Sequence, residues 1–250
     1  MLANPRVVTD PADCTFYHTM DIPGFGLQTG QWDLRGRFDE YIGNIDLRGK
    51  SVLDVGCASG FLSFSAETAG ASEVFSFDMD SPIRQHKLPF KNGLYFSNYE
   101  EWVKQQGNWV ETWKNAYWLA HSRLNSRAKV FYGDVYDISR EHGQFDVTIV
   151  GSILEHLSDP IRALASISKV SRATIAITTP ALHTEDPIAR FVGDRNKPTV
   201  DFVFWVYSIG IYRHVLGMLG FEIDQVKRPS FFCNIHNKHI EVTTIVAHRV

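Results

Sequence analysis

The sequence has few cysteines, no surplus of basic residues and no long uninterrupted apolar run. Its three cysteines, Cys14, Cys57 and Cys233, are odd in number and show no paired spacing. This pattern disfavours a disulfide framework and predicts reduced thiols in a cytoplasmic protein. Cys233 together with His236 and His239 matches no strong ligand motif, so no metal site is predicted there.

The charge balance is slightly acidic, with 25 Lys and Arg against 28 Asp and Glu, a net charge of −3 and a pI near 6.4. This charge balance gives no overall basic surface for binding nucleic acid, although a local basic patch is compatible with the composition. The most apolar tract, 202–219, contains Arg213 and His214, which argues against a membrane span. The first residues lack the basic-then-apolar pattern of a secretory signal.

A strand–turn–helix pattern at 51–64 is the most informative stretch that is present. Val52, Leu53 and Val55 form a short apolar run, and a small-residue turn bracketed by Gly56 and Gly60 leads into a helical pattern. Such a corner is typical of the nucleotide side of an open α/β sheet. Gly56 allows the sharp turn, and Gly60 allows a close approach to the helix start.

The carboxylates near this corner indicate which cofactor it binds. Asp54 would repel the pyrophosphate of a dinucleotide but attract the ammonium and sulfonium of S-adenosylmethionine. A second strand, 73–78, ends in Asp78 about 20 residues further on, which is the spacing of a carboxylate that reaches ribose hydroxyls. The signs of these charges favour S-adenosylmethionine over NAD.

With the runs Val52–Gly60, Asp78, Tyr132–Val135 and Phe145–Val150, the chain from about Arg35 onward resembles the class I S-adenosylmethionine-dependent methyltransferases. Within that superfamily, Gly30–Arg35 and Leu154–Pro160 resemble the branch of bacterial wobble-uridine tRNA-modifying enzymes. Ala58 departs from the pattern, since many members have a glycine there.

The resemblance implies a Rossmann-like, doubly wound α/β fold with a seven-stranded, mostly parallel sheet, an antiparallel last strand and helices on both faces. The residues agree, because the last strands, 221–226 and 241–247, are joined by a connection too short for a comfortable parallel crossover. The predicted organisation is a single domain over 1–250, with an N-terminal arm or lid at 1–33 and cap insertions at 81–128 and 180–206.

Local patterns predict three further features of the chain. Apolar spacing predicts a helix over Trp32–Ile45, and the prolines of 180–201 predict a loop. Asp159 and Pro160 are expected at the N-cap and first position of a helix.

The cofactor site follows partly from the residues and partly from the resemblance. Asp54, Gly56 and Gly60 are expected at the amino-acid end and Asp78 at the ribose, while the resemblance places Asp134 at the adenine and Gly151 and Ser152 at the methionine part. The alternative for Asp134 is a simple turn, because turns favour aspartate. The complete predicted set is Asp54, Gly56, Cys57, Ala58, Gly60, Asp78, Met79, Asp134, Val135, Gly151 and Ser152.

Catalytic candidates follow the fourth strand. His156 lies beyond a strand end, where ligands bind in such sheets, and imidazole titrates in the range useful for removing a hydroxyl proton. The alternative is a histidine that only supports the loop or the cofactor. Glu155 is the second candidate.

Aromatic residues in the arm and the insert provide candidate substrate contacts. Trp32, Trp113 and Tyr117 are predicted to line an acceptor site that excludes water, and the alternative is that they pack the insert on the domain.

The sequence therefore predicts an S-adenosylmethionine-dependent methyltransferase that acts on a small-molecule acceptor, with a hydroxyl oxygen favoured over nitrogen. Two alternatives stay open: a wobble-uridine-type transferase acting on tRNA, and a cofactor-binding subunit without chemistry of its own. The acidic charge disfavours a nucleic-acid partner.

Overall fold

A computed structural model of the chain describes residues 1–86, 88, 90–91, 93–196 and 203–250. Small parts of the two predicted cap insertions, residues 87, 89 and 92 of the first and 197–202 of the second, therefore lie outside the described residues. Within the described residues, no helix combines the length and the apolar content that crossing a membrane requires.

The strands in chain order are β1 (Met20–Ile22), β2 (Gly26–Gln28), β3 (Trp32–Asp33), β4 (Ser51–Val55), β5 (Glu73–Met79), β6 (Lys129–Gly133), β7 (Phe145–Gly151), β8 (Ser171–Thr179), β9 (Ala181–Leu182), β10 (Ala189–Phe191), β11 (Trp205–Ser208), β12 (Phe221–Lys227), β13 (Ser230–Cys233), β14 (Lys238–Glu241) and β15 (Thr243–Arg249). The α-helices are α1 (Phe38–Tyr41), α2 (Phe61–Thr68), α3 (Leu94–Ser97), α4 (Tyr99–Arg123), α5 (Pro160–Ser168) and α6 (Ile209–Met218).

The central sheet has seven strands in the order β12-β15-β8-β7-β4-β5-β6. Strands β4 to β8 pair in parallel, and β15 runs antiparallel to both β8 and β12. The predicted α/β fold with an antiparallel last strand is confirmed. The strand order reverses beside β4, and in such sheets this point opens a crevice at the carboxyl ends of the strands.

Each face of the sheet buries its own apolar core, because successive side chains of a strand point to opposite faces. Val52 packs with the residues of α2 and α4 on one face, whereas Leu53 packs with those of α5 and α6 on the other. Asp159 accepts a hydrogen bond from the Arg162 backbone N–H (3.0 Å) with Pro160 at the first helical position, so the predicted start of α5 is confirmed.

Two local predictions are wrong. The stretch Trp32–Ile45 is not one helix, because Trp32 pairs with Cys233 in β13 and only Phe38–Tyr41 is helical. The stretch 180–201 is not entirely loop, because β9 and β10 form a small sheet with β11. In both cases, pairing with a distant strand overrides the local pattern.

The first predicted cap insertion, 81–128, contains the 25-residue helix α4. The Asn98 side chain caps this helix by accepting from the Glu101 backbone N–H (3.1 Å). Its second half, including Tyr117 and Trp118, is buried against the sheet. The helix thereby lies along one side of the crevice.

Candidate functional site

The glycine turn after β4 has the backbone that the sequence requires. Gly56 has φ +80°, and a Cβ on it would overlap Ile153 Cγ2. Gly60 has φ +88°, and a Cβ on it would lie 2.8 Å from the Tyr117 ring. Ala58 itself has φ +46°, and its backbone N–H donates to Asp78 Oδ2 at 2.7 Å. This hydrogen bond from its N–H to Asp78 stabilises the left-handed backbone conformation of Ala58, where many relatives have glycine.

Asp54 is fully buried inside β4. The Ser63 hydroxyl donates to Oδ2 at 2.6 Å, while Oδ1 is buried without a hydrogen-bond partner among the described residues. The pKa of Asp54 is raised to about 7, chiefly by burial and in smaller part by the Asp78 charge, against the opposing hydrogen bonds of Ser63. A buried carboxylate oxygen without a partner is costly, so it favours a donor or cation from a ligand.

Asp78 is the next-to-last residue of β5 and lines an open pocket of about 210 Å³, which we call the Asp78 pocket. Its carboxylate accepts from the Ala58 and Met79 backbone N–H groups, each at 2.7 Å. Burial raises the pKa of Asp78, whereas these two hydrogen bonds and the charge of Lys114 oppose the shift. The pocket is lined by Ala58, Asp78, Met79, Val110, Trp113, Lys114 and Tyr132.

Lys114 is the cation of the Asp78 pocket. Its Nζ donates to the Asp80 carbonyl oxygen (2.8 Å) and to Glu111 Oε1 (3.0 Å), and lies 4.8 Å from the centre of the Tyr132 ring. The side chain is only 8% exposed. Its charge favours the ionised form of Asp78, which lines the same pocket.

Asp134 follows β6 at the same edge of the sheet, but its carboxylate is already bound by the chain. It accepts from Arg84 Nη1 (2.8 Å) and the Tyr136 N–H (2.9 Å) and lies 2.7 Å from His86 Nε2. Burial would raise the pKa of Asp134, but the hydrogen bonds from Tyr136 and His86 and the nearby charges lower it overall. The adenine contact predicted for Asp134 stays a prediction, as does the cofactor contact predicted for the buried Val135 next to it.

A second open pocket, of about 230 Å³, lies beside Ser152 at the end of β7, and we call it the aromatic pocket. Rings form most of its wall, and one polar side of it is Ser152, whose φ is +50°. The hydroxyl oxygens of Ser152 and Tyr41 lie 3.4 Å apart. The pocket is lined by Tyr17, His18, Trp32, Leu34, Tyr41, Ser152, Phe231 and Val242.

The N-terminal arm roofs the aromatic pocket and is fastened to the glycine turn. The backbone N–H groups of Tyr17 and His18 both donate to Ser59 Oγ, at 3.2 and 3.4 Å. On its other side the arm exchanges backbone hydrogen bonds with Trp32, from Thr19 N to Trp32 O (2.7 Å) and from Trp32 N to Tyr17 O (3.1 Å). The roof is thus tied to both the turn and β3.

Glu155 lies behind Ser152, in the 3₁₀ turn Leu154–His156. It is 5% exposed, and Thr179 Oγ1 donates to its Oε2 at 3.0 Å. Burial raises the pKa of Glu155, while the charge of His156 and hydrogen bonds from Thr179 and Ser152 oppose the shift. His156 is half-buried in the same turn and lines neither of the two pockets described here.

Comparison with known proteins identifies the domain. A methyltransferase domain family matches residues 33–226 of the 250. The chain belongs to that methyltransferase domain family. The match contains the glycine turn, Asp78 and Glu155, whereas the arm before residue 33 and the β13–β14 hairpin lie outside it.

Individual relatives match this methyltransferase domain over shorter or more divergent stretches. The ribosomal protein L11 methyltransferase of Vibrio cholerae is 40% identical over 75 residues, which is 30% of this chain and 24% of that protein. The chain thus spans about a quarter of the length of the curated relatives it matches.

Solved structures share the fold of this methyltransferase domain. Magnesium protoporphyrin IX methyltransferase from Synechocystis PCC 6803 with bound SAH aligns with a TM-score of 0.54 and 15% identity, covering 85% of this chain and 80% of that one. An S-adenosylmethionine-dependent methyltransferase from Mesorhizobium loti aligns with a TM-score of 0.53 and 14% identity, covering 86% and 100%.

These findings confirm the predicted superfamily, the enzyme class and S-adenosylmethionine as the cofactor at the level of the domain. They do not support the narrower resemblance to the wobble-uridine branch. The residues present fit the cofactor. The partnerless Oδ1 of Asp54 suits its ammonium group, and Asp78 at the mouth of an open pocket suits the ribose hydroxyls.

The predicted cofactor residues converge on one edge of the sheet. Gly151 ends β7, where a Cβ would lie 2.9 Å from both Leu62 Cδ1 and the Tyr41 hydroxyl, and Cys57 is buried beneath the turn. Of the predicted substrate contacts, Trp32 lines the aromatic pocket and Trp113 lines the Asp78 pocket.

The predicted substrate contact of Tyr117 is corrected by the structure. Its side chain is fully buried, its ring packs on Phe64 with centroids 5.2 Å apart, and its hydroxyl is 2.9 Å from Ser76 Oγ. Tyr117 is a core residue of α4, so no acceptor reaches it.

Sequence reasoning expected the aromatic arm, which holds Tyr17 and His18, to cover a ligand. It missed four other residues of the two pockets, namely Tyr41, Lys114, Tyr132 and Phe231. Phe231 reaches the site only because the β13–β14 hairpin pairs with β3.

Proposed function

We propose that this domain transfers the methyl group of S-adenosylmethionine to the hydroxyl oxygen of a small, planar, uncharged aromatic acceptor bound in the aromatic pocket. The observation that carries the proposal is the composition of that pocket. Rings of Tyr17, Trp32 and Phe231 suit a flat apolar molecule, and the Ser152 hydroxyl, which lines the same pocket in front of Glu155, meets its polar group.

The chain's own residues would hold the cofactor at the carboxyl edge of the sheet. Asp54 would accept from its ammonium group, and Asp78 would accept from its ribose hydroxyls while it fixes the Ala58 turn. When bound, the cofactor supplies an electrophilic methyl carbon on a sulfonium. The acceptor oxygen forms the new C–O bond as the C–S bond breaks, so the chain must align the three atoms.

Removal of the acceptor's hydroxyl proton falls to Ser152 and Glu155. The proton passes to Ser152 Oγ while the Ser152 hydroxyl proton passes to the Glu155 carboxylate. Burial raises the pKa of Glu155 and makes it a better proton acceptor. The half-buried His156, whose charge opposes that rise, then serves as a supporting neighbour rather than the base.

The N-terminal arm at 1–33 acts as a fixed cap in this proposal, and the whole chain acts as a single domain. Two sets of hydrogen bonds support a fixed cap: those from the arm's backbone to Ser59 and those between the arm and Trp32. A roof of this kind excludes water from the reacting atoms.

Other acceptor classes are less well supported. The Vibrio cholerae relative is named for a ribosomal protein, but the match covers only a quarter of that protein. A pocket walled by rings and covered by the N-terminal arm suits a small flat molecule better than a protein side chain on its backbone. The net charge of −3 disfavours RNA, and an acceptor pocket beside the cofactor disfavours a non-catalytic subunit.

The test is label transfer from methyl-labelled S-adenosylmethionine to phenol and catechol, with ribosomal protein L11 and total tRNA as competing acceptors. We expect labelled methyl ether from at least one phenol. Label that appears only in protein or tRNA contradicts the proposal, as does no label in a folded domain that binds SAH.

The base is tested with a matched pair of variants in the same turn. Glu155→Gln should lower kcat about 10²–10⁴-fold, and the loss should shrink at high pH as the phenol ionises by itself. His156→Gln should retain most of the turnover. The reverse ranking would restore His156 as the base.

A further inference from the structure

His18 is a buried histidine that lines the aromatic pocket. It is 5% exposed, and its ring lines the pocket beside Tyr17 and Trp32. Its Nδ1 is buried and has no hydrogen-bond partner among the described residues. Buried polar atoms are nearly always paired, so an unpaired one beside a cavity indicates a partner that the cavity brings.

The backbone of the arm fixes where this ring lies. The His18 N–H donates to Ser59 Oγ at 3.4 Å, and His18 forms a parallel bridge with Trp32. Gly30 lies so close that a Cβ on it would overlap the His18 backbone. The ring is therefore held at a set distance from the glycine turn and from Ser152.

Packing alone does not explain a histidine here. The ring contacts Tyr17 edge-on at 4.9 Å and Phe61 at 5.4 Å between centroids, and a phenylalanine would make both contacts without an unpaired nitrogen. Burial lowers the pKa of His18 to about 3, so the ring stays neutral at physiological pH. A neutral imidazole offers one donor and one acceptor and is a poor general base in this state.

We propose that His18 binds a second polar group of the acceptor through Nδ1, so that the favoured acceptor carries another oxygen besides the methylated hydroxyl. The proposal rests on the proposed function, since it uses the same pocket and reaction. Ser152 and Glu155 meet the oxygen that is methylated, and His18 meets the other. The pocket thus selects a dihydroxylated ring, or a hydroxylated ring with a carbonyl, over a simple phenol.

The experiment compares catechol with phenol, which differ by that second oxygen. The native domain should prefer catechol in kcat/KM by about tenfold, the size expected of one buried hydrogen bond. His18→Phe keeps the ring packing and should reduce this preference to about one, mainly by raising the catechol KM. His18→Asn places an amide near the Nδ1 position and should restore part of it. His236→Ala, in the exposed hairpin turn, is the matched control and should leave the preference unchanged.

A measurement on the native protein covers the case in which the variants fail to fold. Nitrogen NMR of the histidine rings should show a shift of the His18 Nδ1 resonance on addition of catechol with SAH present, and a smaller shift with phenol. An unshifted resonance at saturating catechol, or a catechol preference that survives in folded His18→Phe, overturns the role of His18 alone. A native domain that binds SAH but methylates neither probe rejects the proposed function and this inference together.

Discussion

Asp54 gives the sharpest quantitative prediction, because its buried carboxylate must be ionised to attract the cofactor's ammonium. Its pKa is raised from 3.8 to about 7, chiefly by burial. Protonated Asp54 cannot make that ionic contact, so cofactor affinity should follow its ionisation. For a pKa of about 7, the Kd of SAH should be about 30-fold weaker at pH 5.5 than at pH 8.

The same shift predicts the stability of the free protein. A folded pKa above the unfolded value means that the folded state binds more protons between pH 3.8 and about 7. The free energy of unfolding therefore falls as pH rises through that window, by up to about 4 kcal/mol. Asp54→Asn removes the titration, so the variant should be more stable than the native protein at pH 8 while binding SAH more weakly.

Calorimetry with SAH and urea unfolding, each at pH 5.5, 6.5, 7.5 and 8, measure both effects. Asp54→Asn should flatten the two pH dependences, and Asp39→Asn, at an exposed aspartate outside the crevice, should leave them as in the native protein. Asp78 is close enough to Asp54 to affect its pKa, and any pH dependence of affinity or stability that remains in Asp54→Asn is assigned to Asp78. A native Kd that is constant from pH 5.5 to 8 refutes the reasoning.

Two further substitutions separate binding from folding. Asp78→Ala should weaken SAH binding at least about 100-fold, because two charge-assisted ribose hydrogen bonds are lost. It should also lower the free energy of unfolding by about 1–3 kcal/mol, because the Ala58 and Met79 N–H groups lose their acceptor. Unchanged affinity by calorimetry in a folded variant would remove Asp78 from the site. Tyr117→Phe should lower the free energy of unfolding by about 1 kcal/mol through loss of the Ser76 contact, and leave the KM of the acceptor unchanged. A rise of that KM would return Tyr117 to the acceptor site.

Much of the cofactor half of the site could be predicted from the sequence alone. Asp54, Gly56 and Asp78 depend on local rules: a strand that ends in a carboxylate, and a turn that needs positive φ. The carboxyl ends of parallel strands meet at one edge, so once the strands are identified their last residues are neighbours. Even the antiparallel last strand follows from a short connection.

The acceptor half depended on pairings between distant parts of the chain. Trp32 belongs to a strand rather than a helix because the arm pairs with it on one side and β13 on the other, and that pairing brings His18 and Phe231 to the same pocket. Tyr117 follows Trp113 by one helical turn in the sequence pattern, yet its side chain faces the sheet and is fully buried. The helical period predicts that Trp113 and Tyr117 share a face of α4. Only the packing of α4 against the sheet decides which part of that face is buried and which part lines a pocket.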